Sequence, residues 1–483
     1  MADASNNTEY DITIIGAGPG GYAAALYGGL KGVKIALVEK DRRLGGTCLL
    51  RGCIPSKAML KTGELRLQMS HAEKYGLALK GDVSIDWEST VQRKDKVVDG
   101  LVNGLTGLMK SRKVDVIHGT GTITSPNTVT VDGREIRSRN IIIATGSGTL
   151  YPTDVPGGDL PNVITSDEVL DADLTLKRIP TMPESVIIVG GGTVGMEHAS
   201  MFNAYGVKVT VVVTSPRALR LVDEEISRRF SMVVKNQGIE IITRTDVVRM
   251  EETGKGKGKR LMVTLRNADS GAEEVREVSH VFWAKGRFPY SQGVGLDKIG
   301  LQTTKRGFIE VDERMQTAVP GVYAIGDVVP GPMLAHVAMY EGEVAVDNIL
   351  GHYRAADYGA VPDVIFTIPE IASVGMQESE AKERGIPVKV TKFNFAALGR
   401  AQAIGEPDGL VKMICDPGSG VILGMQILGA HASDVIAECT LAVQQGITAE
   451  ELAHTIHAHP TMPEAVAETA FSQILGAPLH ANR

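Results

Sequence analysis

"DITIIGAGPGGYAAALYGGLKGVKIALVEK", residues 11–40, holds an apolar run, a glycine turn, a stretch of small residues and a second apolar run. That pattern reads as strand, turn, helix, strand. The plan returns at an offset of 174: "SVIIVGGGTVGMEHASMFNAYGVKVTVVV" from Ser185 sets Gly190, Gly192 and Gly195 against Gly16, Gly18 and Gly21, and Gly206 against the helix-ending Gly32. A single G-x-G-x-x-G is a weak signal in a chain of 55 glycines, but two copies in the same context are a strong one. The first two glycines tighten the turn and let a pyrophosphate approach the backbone. The helix end then offers free N–H groups and a positive dipole end, and the third glycine lets the helix pack close to the strand. Two such units predict an α/β chain that holds two dinucleotides and moves electrons between them.

The strand after such a helix normally ends, about 20 residues on, in an acid that binds the adenosine ribose hydroxyls. Glu39, 18 residues after Gly21, meets that rule, whereas the same step from Gly195 lands on Val213. Arg217 and Arg220 follow closely. A missing carboxylate with guanidiniums nearby suits a 2′-phosphate; the plainer alternative is that both arginines face solvent. Two further apolar runs end in small polar turns, NIIIATGS at 140–147 and VYAIGDVV at 322–329. Open α/β sheets place ligands at such strand ends.

A chain of 483 residues is too long for one core and predicts several domains. Hydrophobic residues at 43% and charged residues at 22% are ordinary for a globular protein. The net charge of -7 argues against nucleic-acid binding, and the one dense basic run, Lys255 to Arg260, is glycine-laced and reads as a solvated hairpin loop. The opening MADASNNTEY has no Lys or Arg, so it resembles neither a secretory signal nor a transit peptide. The expectation is a soluble, cytoplasmic protein without a membrane span. Past Gly359, the segments DVIFTI, VKVTKFNF, LVKMIC and VILGMQIL alternate like strands and helices follow, which predicts a separate α+β domain.

Four cysteines, at 48, 53, 415 and 439, are too few for a disulfide scaffold. Two of them share the stretch GGTCLLRGCIPSK, residues 45–57. Residues five apart on an undistorted helix cannot be bridged, but Gly52 and Pro55 relieve this. A helix is expected to begin around Cys53, with Cys48 in the preceding turn. Cys53 then sits beside a positive helix end, and Lys57 adds a cation one turn later; both favour thiolate. Zinc is disfavoured, because no histidine or cysteine stands near the pair until His71. An inert buried pair is disfavoured because the stretch lacks the apolar periodicity of a core segment. A reversible disulfide beside a dinucleotide site is the reading. Far away, HTIHAHPTMPE at 454–464 packs His454, His457 and His459 into six residues. By spacing alone a metal site is one candidate, but Pro460 breaks the segment and Glu464 can orient an imidazole for proton transfer.

Together the motifs GAGPGG, GGTCLLRGCIPSK, ATGS, GGGTVGMEH, AKGR, AIGDVVPGPMLAH and HAHPTMPE resemble, in that order, the flavin-dependent pyridine nucleotide-disulfide oxidoreductases. Nearly the whole chain resembles that family, most closely its dihydrolipoamide-oxidising branch. The resemblance implies two Rossmann-like dinucleotide-binding domains plus a C-terminal α+β dimerisation domain. Residues 1–150 would bind FAD, 151–285 NAD(P), 286–358 would complete the FAD site, and 359–483 would form the interface. Gly16, Gly18, Gly21 and Glu39 would hold the adenosine diphosphate of FAD, with further cofactor contacts from Lys40, Gly46, Thr47, Gly121, Thr145, Gly146 and Ser147. Asp327 with Met333, Leu334, Ala335 and His336 would close over its ribityl and flavin. Lys57 would pair with Glu197 beside the flavin. Gly190, Gly192, Gly195 and Gly286 would cradle the nicotinamide nucleotide, joined by Val213, Arg217, Val247 and Arg287. Cys48 would be the interchange thiol and Cys53 the flavin-facing thiol. His459 would be the base and Glu464 its orienter, leaving His454 and His457 structural. No metal is implied. The implied partners are a second copy of the chain, whose C-terminal domain completes the active site, and the lipoyl domain of a 2-oxoacid dehydrogenase or glycine-cleavage complex; the implied acceptor is NAD.

Two positions depart from the family pattern: Val213, and Tyr290 in "GRFPYS", where asparagine is usual. Val213 keeps open an NADPH-dependent disulfide reductase of the glutathione reductase type. A mercuric reductase would carry a second cysteine pair at the C-terminus, and the closing APLHANR has none. From another class, a non-catalytic flavoprotein subunit would have no use for Cys48, Cys53, His459 and Glu464 together.

Overall fold

The computed structural model describes residues 9–254 and 259–480. The N-terminal MADASNNT and residues 255–258 of the basic run lie outside them. The run's flanks do form a hairpin, Thr253 pairing with Arg260 between the antiparallel strands Thr245–Thr253 and Arg260–Asn267.

Both glycine repeats build the same local object. Strands Tyr10–Ile15 and Ser185–Val189 are almost wholly buried, as expected for parallel strands covered on both faces. Each is followed by a helix, Pro19–Leu30 and Thr193–Ala204, that starts on a glycine and has no side-chain cap. The first N–H groups of each helix are therefore left for a ligand or solvent.

The sheets repeat as well. In the first, the order is Asp115–His118, Ile35–Glu39, Tyr10–Ile15, Arg134–Ile143, with Val322–Ala324 added beside the last and an antiparallel pair of strands on its other edge. In the second, the order is Glu240–Ile242, Lys208–Val212, Ser185–Val189, His280–Trp283, Val163–Ile164, all parallel. In each, the strand that leads into the glycine turn lies between the strand that follows its helix and a later one. The glycine turns thus open at the carboxyl ends of central strands, where open α/β sheets bind ligands.

The C-terminal part is a five-stranded antiparallel sheet, Asp363–Ile365, Ile371–Gly375, Ile422–Leu428, Leu410–Cys415 and Lys389–Asn394, packed with helices Ala432–Gln445 and Glu464–Leu475. Four of these strands fall in the segments expected to alternate. The fifth, IASVG, is too short and small to stand out. Ile371, Leu410 and Leu428 pack against Ile226 and Phe230 of the second unit in one core. Among them is a charge: Lys412, buried at 1% exposure, donates to Asp223 at 2.9 Å and pairs with Glu378 at 2.6 Å. Asp223 is also the N-cap of the Glu224–Asn236 helix.

Among the described residues no helix is long and apolar enough to cross a membrane. Replacing Lys412 by Met strips a buried carboxylate of its cation and is expected to cost about 3 kcal/mol of stability, read as a lower urea midpoint. An unchanged midpoint would mean that the ion cluster does not tie the two parts together.

Candidate active site

The cysteine segment is built by three glycines. Gly45 and Gly46 turn with φ of +123° and +57°, and a Cβ on Gly46 would stand 2.6 Å from the Cα of Gly18. The cysteine segment is thereby pressed against the first dinucleotide turn. Cys48 does not lie in a turn, as expected, but in a six-residue helix, Gly46–Arg51, which buries Leu49 and Leu50. Once the paired glycines have reversed the chain, TCLLR is free to coil, and its two leucines fix which face points inward. Gly52 breaks that helix, and a new one, Cys53–Ser70, starts on the second cysteine as anticipated.

Both thiols are free and interact with one another. That contact divides them: the neighbouring Cys53, then burial, push the Cys48 thiol far up. Cys53 is pulled down to about 7, first by the hydrogen bond from Cys48 and further by the Lys57 ammonium, against an opposing effect of burial. As pH rises through neutrality, the first negative charge of the pair therefore forms on Cys53, at a helix start, rather than on Cys48.

Lys57 is set by Glu197, 140 positions on, which accepts from its Nζ at 2.8 and 3.0 Å. Glu197 also accepts the Phe366 N–H at 2.9 Å, and the Lys57 ammonium lies 4.5 Å from the centre of the Phe366 ring. One ion pair thus joins the cysteine helix, the second glycine helix and the start of the C-terminal sheet. His198, next in the chain, is a buried imidazole stacked on Phe282 at 4.4 Å. Its Nδ1 donates to the Val194 carbonyl, and burial holds it down to about 4, so it is neutral. Sequence reading passed over His198 and Phe366, since neither sits in a polar cluster.

Around the first glycine turn, Glu39 is buried and accepts from the N–H groups of Ala17 at 2.7 Å and Asp41 at 2.8 Å. Burial pushes its carboxyl up, and those two donors hold it down only in part. Lys40, the next residue, is exposed. Thr145 and Gly146 follow the Arg134–Ile143 strand and bond to the Tyr290 backbone. Gly121 is buried against Val38 and Ile15, in the sheet itself. Arg287 gathers distant segments: its guanidinium donates to the Ser147 hydroxyl at 2.7 Å, the Ser147 carbonyl at 2.8 Å and the Thr47 hydroxyl at 3.5 Å. Ser147 in turn donates to Asp327. Leu334 starts the Ala335–Ile349 helix just after Met333, again without a side-chain cap, while His336 bonds the Pro362 carbonyl. Glu341 inside that helix accepts the Gly326 N–H at 2.6 Å; an acid within an apolar helix was the one signal that could have flagged it.

At the second turn Gly286, with φ +123°, follows the strand that pairs with Ser185–Val189. Val213 is buried against Gly191. The guanidinium of Arg217 donates to the Leu219 and Arg220 carbonyls at 2.8 Å each, closing its own loop, while Arg220 is exposed. Neither of the two readings of Arg217 anticipated this use. Val247 is core.

In the C-terminal part, Glu464 opens its helix and accepts from His459 Nδ1 and the Thr461 N–H, both at 2.7 Å. Burial tends to raise its carboxyl, but Thr461 and His459 hold it below the usual range, so an ionised carboxylate fixes the ring and leaves Nε2 free to take a proton. His457 bonds Glu438 at 2.9 Å, and His454 packs edge-on to Phe471. His480, missed in the sequence because it stands alone, bonds Glu468 at 2.6 Å. Among the described residues His459 shares no hydrogen bond with Cys48 or Cys53.

The chain matches a family model described as pyridine nucleotide-disulphide oxidoreductase over residues 10–342, and that family's dimerisation domain over residues 361–470. It belongs to this family. A dihydrolipoyl dehydrogenase of Chlamydia muridarum is 41% identical over 478 residues, 98% of both chains. One from Geobacillus stearothermophilus is 40% identical over 476 residues, covering 98% of this chain and 97% of the other. Among solved structures, the HOCl-induced flavoprotein disulfide reductase RclA from Escherichia coli superposes with a TM-score of 0.83 at 28% identity, covering 95% of this chain and 99% of that one. The asymmetry of the two thiols is measurable. In the reduced protein, alkylation of Cys53 by iodoacetamide should accelerate with pH through a midpoint near 7. Lys57→Met should move that midpoint up by about one pH unit; a midpoint that stays put would remove Lys57 from the thiolate's environment.

Proposed function

We propose that this chain is a dihydrolipoyl dehydrogenase: it oxidises dihydrolipoamide through a Cys48–Cys53 disulfide and FAD and reduces NAD. The observation that carries the reading is the pair of unequal thiols, Cys53 lowered and Cys48 raised, set against a dinucleotide turn with the Lys57–Glu197 ion pair beside them. The residues present suit a flavin dinucleotide. Gly46 packs on Gly18 so closely that it has no room for a Cβ, a helix start lies open beside them, and Asp327, Ser147, Thr47 and Arg287 converge farther along. A flavin bound there would take the electron pair and pass it as hydride to the nicotinamide; the rest is the work of the chain's own side chains.

His459 Nε2 takes the proton of one substrate thiol while Glu464 holds the ring. The resulting thiolate attacks Cys48 Sγ, forming a mixed disulfide as the Cys48–Cys53 bond breaks and Cys53 leaves as thiolate. The second substrate sulfur displaces Cys48 from the mixed disulfide, and its proton passes to the departing Cys48 sulfur, which is left as a thiol beside the Cys53 thiolate. Lipoamide departs with its ring disulfide closed, and the chain is left with two electrons on its cysteines. Because His459 and the thiols share no bond within one chain, the reading includes a homodimer in which the partner's C-terminal part supplies the base, supported by the dimerisation-domain match. It also includes a lipoyl domain as substrate carrier and a cytoplasmic setting, which the low cysteine count favours. We assign NAD rather than NADP because Arg217 is committed to its own loop carbonyls and offers no fork to a 2′-phosphate.

Purified protein mixed with dihydrolipoamide and equal concentrations of NAD or NADP should build absorbance at the reduced-nicotinamide band with NAD. Preference for NADP, or turnover only with NADPH and glutathione disulfide, would overturn the assignment. Cys53→Ser should abolish thiol turnover while electron flow from NADH to artificial acceptors persists. His459→Gln should lower thiol turnover about 10²- to 10⁴-fold.

A further inference from the structure

Tyr290 stands where the family pattern has asparagine, and the fold gives it a particular place. Strands Ile35–Glu39 and Arg134–Ile143 flank Tyr10–Ile15 on its two sides, about 10 Å apart at ordinary strand spacing. Lys40 follows directly on the first flanking strand. Tyr290 is fastened to the end of the other: its N–H donates to the Gly146 carbonyl at 2.8 Å, and its carbonyl accepts the Thr145 hydroxyl at 2.6 Å. From these two anchors the side chains meet, Lys40 Nζ lying 4.4 Å from the centre of the Tyr290 ring. The contact therefore spans the carboxyl end of the middle strand, where the Gly16–Gly18 turn opens. The ring is held in place: Phe288 meets it edge-on at 5.2 Å, and a Cβ on Gly148 would come within 2.8 Å of its Cζ.

We propose that Lys40 and Tyr290 form a cation–π strap across the first dinucleotide groove that retains the adenosine diphosphate half of the flavin. The strap rests on the reading of that groove as the FAD site. Its physical basis is that dissociation through the groove mouth requires the ammonium and the ring face to part, whereas an asparagine offers no ring face. The barrier lies on the exit path, so it acts on how long the cofactor stays.

The test uses purified holoenzyme and follows the appearance of free FAD in the filtrate after dilution. Tyr290→Asn and Lys40→Met should each release FAD about fivefold faster, the scale of one partly exposed cation–π contact. The double variant should be no faster than either alone, and Tyr290→Phe, which keeps the ring face, should release at the wild-type rate. Unchanged or slower release in both single variants, effects that multiply in the double variant, or fast release by Tyr290→Phe would each overturn the strap. Wild-type protein that purifies without bound flavin would instead overturn the reading of the groove, and the strap with it.

Discussion

Both glycine turns depend on the absence of a single side-chain carbon. A Cβ on Gly21 would lie 1.8 Å from the Gly16 carbonyl oxygen, and one on Gly195 would lie 1.9 Å from that of Gly190. With hydrogens there, each helix lies directly against the strand before it, its uncapped start aimed past the strand end. Gly46 against Gly18 extends the same logic across the chain, because two facing glycines let the cysteine helix dock on the first turn. Close backbone approach thus brings the first glycine turn and the cysteine pair within reach of one another.

On that scaffold, charge does the positioning. Glu197 satisfies an ammonium on one segment and a backbone N–H on another, so the Lys57 charge is held where it favours a thiolate at Cys53. Glu464 repeats the device on a smaller scale, accepting one backbone N–H and one imidazole. In both cases a carboxylate with two donors fixes an ammonium or an imidazole, and neither could turn away without leaving a donor unpaired. Lys412 shows the same economy between domains, since a buried ammonium keeps its charge only while its carboxylates stay in register.

Repeated glycines, apolar runs of strand length and the alternation after residue 359 made the fold class legible in the sequence, because backbone periodicity and turn conformation are local properties. The Cys48–Cys53 spacing and Pro55 made the second cysteine's helix start legible for the same reason. The short strand at Ile371–Gly375 and the helix around Cys48 were not legible: the first is set by pairing with Ile422–Leu428 and the second by burial of Leu49 and Leu50.

What the sequence determined by itself was therefore the two glycine-turn α/β units, the helix start at Cys53 and the existence of a third, α+β part. Only the tertiary structure decided that Glu197 answers to Phe366 as well as Lys57, that Arg217 is bound to its own loop, that His480 has a carboxylate partner, and that Lys40 reaches Tyr290. Two of these contacts, Glu197 with Phe366 and Lys40 with Tyr290, join residues far apart along the chain, and a partner's identity is not written in the local pattern. It follows from which surfaces the packed helices and sheets bring together.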